Sequence, residues 1–142
     1  MMRPSDDTAT AARLYVLVVG AALVIGGVAG FAYESSFGTG ESYVSDDILG
    51  IFPTNGWDNV LHLAAGVACL IAASRAPRPM ALAIGAGFTI LGVWGMIVTD
   101  HGVGNLVDAI PVGTEDNLLH LALGLTGIAA GLLTAGRTPK PA

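Results

Sequence analysis

The chain has 142 residues, 53% of them strongly apolar, and carries 6 Lys or Arg against 11 Asp or Glu, a net charge of −5. A water-soluble domain holds about 25% charged residues; 12% here, with a mean hydropathy of +0.67, excludes a soluble globule and equally excludes a disordered chain. An acidic balance with scattered basic residues excludes a nucleic-acid partner, which leaves a single small integral membrane domain over residues 1–142.

Membrane-length apolar stretches predict four helical spans at about 14–33, 58–74, 80–98 and 117–135, since roughly 20 helical residues cross a hydrocarbon layer of about 30 Å. The first follows Arg3 and Arg13 but is longer than the apolar region of a secretion signal and ends in Phe31 and Tyr33, so it reads as a retained helix. Its Gly26-x-x-x-Gly30 spacing offers a helix-packing surface. In the loop that follows, Ile48, Leu49, Ile51, Phe52 and Trp57 predict a segment lying at the interface, stopped by Pro53. The second span contains His62 and the lone Cys69, a small buried hydrophobe. Arg75 and Arg78 separate it from the third, whose Gly85, Gly92 and Gly95 form another contact surface. Beyond Asp100 and His101, Gly102-Val103-Gly104 reads as loop, and Leu106, Val107 and Ile110 as a second interfacial segment ended by Pro111. The fourth span contains His120 and is followed by Arg137 and Lys140.

All six basic residues thus fall before span one, between spans two and three, or after span four, whereas nine of the eleven acids occupy the other two loops. Basic residues near span ends stay on the cytoplasmic side. This predicts a multi-pass protein of the cell (inner) membrane with both termini cytoplasmic and two acidic loops outside.

An internal repeat carries the one chemical constellation. Pro53 to Gly66 and Pro111 to Gly124 share Pro, Asp, Asn, Leu, His, Leu, Ala and Gly in register. The repeat predicts an all-α, four-transmembrane-helix bundle made of two helical hairpins related by an approximate two-fold along the membrane normal. Helical spacing puts Asp58, His62, Gly66 and Cys69 on one stripe and Asp116, His120 and Gly124 on its counterpart. One reading of Asp58, Asn59, His62, Gly66, Asp116, Asn117, His120 and Gly124 is structural: Asp58 or Asn59 caps span two, Thr114 or Asp116 caps span four, and i, i+4 Asp–His pairs pin the helix ends. The other is a ligand site, with His62 and His120 binding one haem iron, or a transition metal held by these two with Asp58, Asp116 and His101.

The blocks Asn59-Val60-Leu61-His62-Leu63-Ala64-Ala65-Gly66 and Asn117-Leu118-Leu119-His120-Leu121-Ala122-Leu123-Gly124 resemble a family of small four-helix bacterial membrane proteins defined only as a domain of unknown function. The resemblance runs from about residue 14 to 135 and implies the four-span architecture, with no activity, cofactor or catalytic residue attached. The absence of buried carboxylates within the apolar runs and of a nucleophile–base pair predicts a non-catalytic accessory or structural subunit without a cofactor. Its partners are the lipid bilayer and other membrane helices or a second copy. The alternative is the haem or metal binder.

Overall fold

The computed structural model describes residues 10–40 and 45–134. Arg3, Glu41, Tyr43, Arg137, Lys140 and the end of the fourth predicted span lie outside them. The described residues form α1 (Ala11–Tyr33), β1 (Asp46–Ile48), β2 (Phe52–Thr54), α2 (Gly56–Ala72), α3 (Pro77–Val98), β3 (Val103–Leu106), β4 (Ile110–Gly113) and α4 (Thr114–Leu133). The chain is a membrane-embedded helical protein: α1, α3 and α4 are long and apolar enough to cross a bilayer, and α2, at 17 residues, is the short fourth helix.

Helix packing is antiparallel within each half, α1 on α2 and α3 on α4, and the contacts are made by glycine. A methyl group on Gly66 would stand 2.8 Å from the Gly20 carbonyl oxygen, and one on Gly85 would stand 2.9 Å from that of Gly124. Gly27 lies against Leu63 as Gly92 lies against Leu121, and Gly30 lies under the Asn59 amide as Gly95 lies under that of Asn117. The matched contacts are 65 residues apart on α1 and α3 and 58 apart on α2 and α4. In lipid, where apolar side chains gain little from leaving the solvent, such close backbone approach supplies dispersion contact. Gly30, Gly85, Gly92 and Gly95, expected to form helix contact surfaces, do so between helices of this chain, whereas Gly26, like Gly87, faces open space.

The two halves meet around a small core of Tyr15, Val16, Val19, Leu23, Cys69, Ala81 and Phe88. The Tyr15 hydroxyl donates to Leu123 O at 2.9 Å, joining α1 to α4. At the end that carries Arg13, Arg75 and Arg78, the Ala12 N–H donates to Thr134 Oγ1 at 3.0 Å, and Arg78 Nε donates to Gly131 O at 3.1 Å.

The opposite end corrects the all-α expectation. In place of interfacial segments, each half has a two-stranded antiparallel hairpin, with Ile48 paired to Phe52 and Leu106 to Ile110 at the turns. Val103 and Gly104, read as loop, lie in β3, while Pro53 and Pro111, read as helix stops, lie in β2 and β4. Both turns have two successive residues at positive φ, Leu49 (57°) and Gly50 (69°) in one, Val107 (48°) and Asp108 (57°) in the other. That is the left-handed geometry that matches strand twist in a tight hairpin. Leu49 and Val107 are poor signals for it, and a β-branched residue there is strained, so only the closed pairing of the strands makes the turn visible. The hairpins also touch: Asn55 Nδ2 donates to Ala109 O at 2.6 Å, and the Gly40 N–H donates to Asp108 O at 2.8 Å.

Helix contact through backbone makes a specific prediction. Gly66→Ala and Gly85→Ala each destabilise the protein by about 1–3 kcal/mol through overpacking, read as a lower unfolding midpoint in detergent. Gly87→Ala, where a methyl group meets nothing within 4 Å, leaves the midpoint unchanged or raises it, since Ala exceeds Gly in helix propensity by about 1 kcal/mol.

Candidate functional site

The site is built at the start of α2 and α4, where each helix leaves its hairpin. Strand β2 delivers Asn55 in extended backbone, and its Oδ1 accepts the Asp58 N–H at 2.9 Å. Asn55, rather than Asp58 or Asn59, is therefore the N-cap of α2. In α4 the N-cap position is Gly113, whose N–H donates to Asp116 Oδ2 at 3.3 Å; Asp116 serves the cap from the first turn, and Thr114 is already helical.

Asn59 and Asn117 are fully buried and close the two helix pairs at this end. Asn59 Nδ2 donates to Glu34 O at 2.9 Å and its Oδ1 accepts from Thr54 Oγ1 at 2.8 Å, tying the end of α1 to the start of α2. Asn117 Nδ2 donates to Thr99 Oγ1 at 2.8 Å, but its buried Oδ1 has no donor among the described residues. The reason lies 58 residues from Thr54: the matching position in β4 is Val112, buried and without a hydroxyl. Glu34 itself faces solvent just past α1, and the Ser36 N–H donating to its Oε1 at 2.7 Å holds the carboxyl below its usual range.

On another face of the same two helices, Asp58 and Asp116, with His62 and His120 one turn further in, line a single partly open cleft of about 300 Å³. Its remaining walls are apolar: Val18, Ala22 and Gly26 of α1 on one side, Phe88, Leu119 and Leu123 on the other, with Ile48, Phe52 and Pro53 of the first hairpin above. The two Asp–His pairs are not equivalent. His62 Nδ1 lies 3.2 Å from Asp58 Oδ2, the expected i, i+4 pair. In α4 the carboxylate turns to the Gly113 N–H instead, the His120 ring stacks on Phe88 at 5.2 Å and 14°, and its buried Nδ1 has no partner among the described residues.

The remaining residues singled out in the sequence lie elsewhere. His101 is outside the cleft, 95% exposed beside Asp100 at 3.6 Å, a pair of negligible strength. Cys69, Gly66 and Gly124 are buried in helix contacts. Among the described residues no group of three or more His, Cys, Asp or Glu is placed to hold a metal ion. Sequence reasoning missed Thr54, Asn55, Thr99, Phe88 and Gly26. The repeat contained a signal for two of them, because its mismatches Thr54/Val112 and Asn55/Gly113 fall where the halves differ in hydrogen bonding; Gly26 had been read as a helix-packing residue and not as a cleft wall, and for Phe88 no local pattern existed.

The chain belongs to the family described as Domain of unknown function (DUF4383), which matches residues 13–133. No curated protein and no solved structure matches it.

The unequal asparagines supply a paired test. Thr54→Val, leaving Asn59 Oδ1 without its donor, costs about 1–3 kcal/mol, the range for a buried unsatisfied acceptor. Val112→Thr supplies the missing hydroxyl to Asn117 and raises stability by about 0.5–1.5 kcal/mol, a change of opposite sign in the same detergent unfolding measurement.

Proposed function

We propose that the chain is a four-span protein of the bacterial cell membrane, built from two copies of one helical hairpin with both termini cytoplasmic, and that it acts without catalysis as an accessory or structural subunit. Its partners in this reading are the bilayer and neighbouring membrane helices, including those of a second copy. The observation that carries it is the distribution of polar groups along the helices. Tyr15, Asn59, Thr89, Asn117 and Thr126 all bond within the chain, whereas Ile25, Val28, Ile90, Ile97, Leu125 and Leu132 present an exposed apolar belt.

Orientation is supported by charge. Arg13, Arg75 and Arg78 share one end, and the described acids outside the helices share the other. The 17 residues of α2 span about 25 Å, enough to cross a bilayer thinned or shifted slightly at that point.

A second reading is favoured by one feature of the cleft. Asp58 on His62 Nδ1 leaves Nε2 free, the arrangement by which a carboxylate orients a metal-ligating imidazole, and His120 lines the same space. On this reading His62 and His120 hold a haem iron or a transition metal, with Asp58 and Asp116 as orienting or additional groups.

Cross-linking and native mass spectrometry of solubilised membranes test the subunit role: stoichiometric complexes are the expected result, and a monomer at every detergent concentration overturns it. In a Cys69→Ala background, His101→Cys reacts with an impermeant thiol reagent in intact cells and Ser74→Cys does not. A visible spectrum and metal analysis, with His62→Ala and His120→Ala beside the parent, decide the second reading, which colourless, metal-free protein eliminates.

A further inference from the structure

We infer that the cleft between α1 and α4 is a binding site for a lipophilic amine: a compact apolar body carrying one protonated nitrogen. The inference does not depend on the subunit role. It follows from the shape of the cleft, its lining and the charges available at that end of the molecule.

A cleft of about 300 Å³ lies at the lower end of the volumes that hold small molecules, and such sites are mostly apolar with a few convergent polar groups. Here aliphatic side chains of α1 form one wall, Phe88 and Phe52 add aromatic rings to the lining, and the polar groups are confined to Asp58, His62, Asp116 and His120. The packing of α1 does not require this space to be filled, since Gly26 borders it and a side chain there would meet nothing within 4 Å.

The polar groups specify the head. A carboxylate accepts hydrogen bonds and carries negative charge. Asp58 has the His62 imidazole beside it, but Asp116 has only the Gly113 N–H and no ion pair among the described residues. Among the described residues no Arg or Lys is near to supply the missing charge, because Arg13, Arg75 and Arg78 are at the opposite end of the helices. A carboxylate in apolar surroundings is costly until a counter-charge joins it. A protonated amine brings that charge together with N–H donors. An anionic amphiphile meets two carboxylates, and a neutral one leaves Asp116 uncompensated.

Three probes with one apolar cage separate these cases: 1-adamantylamine, 1-adamantanol and adamantane-1-carboxylate, titrated calorimetrically into the purified full chain in nanodiscs at neutral pH. The amine is expected to bind saturably, the alcohol at least about tenfold more weakly, and the carboxylate not at all. Asp116→Asn, whose amide oxygen can still accept the Gly113 N–H, brings the amine down to the affinity of the alcohol. Gly26→Leu fills the cleft and removes binding of both at an unchanged unfolding midpoint. Equal affinities for amine and alcohol, a preference that survives Asp116→Asn, or binding that persists in folded Gly26→Leu would each overturn the assignment.

Discussion

The fold rests on backbone-to-backbone contact between helices at glycine. Gly20 against Gly66, and Gly85 against Gly124, bring the axes of each pair closer than any side chain would permit. Everything near the hairpin end depends on that approach. The buried amides of Asn59 and Asn117 reach across to α1 and α3 because Gly30 and Gly95 present no side chain in their path. With those contacts made, an asparagine that would be a liability in hydrocarbon becomes a bolt between two helices, since its hydrogen bonds have no water to compete with them. Glycine and asparagine are thus one device, the first removing bulk where the second inserts a polar group.

The same device sets where the chain is loosely filled. Tight pairing is internal to each half, α1 with α2 and α3 with α4, whereas the halves meet through a few larger side chains and the Tyr15 hydroxyl. Two closely paired ribbons of this kind fit least well where α1 passes α4 beneath the first hairpin, and the cleft opens there. Asp58 and Asp116 enter it because each stands in the first turn of its helix, one residue before the asparagine that faces the neighbouring helix. The bolt and the cleft-facing carboxylate are therefore adjacent in sequence and directed to different sides by the 100° step of the helix.

Much of this was legible before any coordinates. Composition marked the membrane environment, the four apolar runs correspond to the four helices, and the doubled Asp-Asn-x-Leu-His block pointed to the residues that converge on one cleft. Three things were hidden. The β-hairpins were unreadable because Leu49-Gly50 and Val107-Asp108 depart from the usual turn residues and because strands of three or four residues leave little alternation to detect. The helix cap was misplaced because Asp58, Asn59 and Asn55 are all competent caps by chemistry, and only the strand preceding Asn55 decides among them. The glycines were legible as a helix contact surface, but not which helix each would meet. Their spacing marks a packing face, but spacing cannot distinguish a partner in the same chain from one outside it.

The departures between the halves are as informative as their likeness. In the first, Thr54, Asn55, Asp58, Asn59 and His62 form a continuous set of hydrogen-bonded contacts. In the second, Val112 and Gly113 stand where Thr54 and Asn55 would, and the consequences propagate helix-inward. Asn117 keeps an unsatisfied oxygen, Asp116 is drawn to the bare Gly113 N–H, and His120, deprived of its carboxylate, lies flat on Phe88. A chain under pressure only to hold its helices together gains nothing from leaving these acceptors open, because each unsatisfied buried group costs about 1–3 kcal/mol. Both halves send a carboxylate and an imidazole into the shared apolar space, but only in the first are the two paired with each other. That difference, a carboxylate paired with its histidine on one side and one held only by a backbone N–H on the other, gives the cleft a direction that a symmetric pair of histidines would lack.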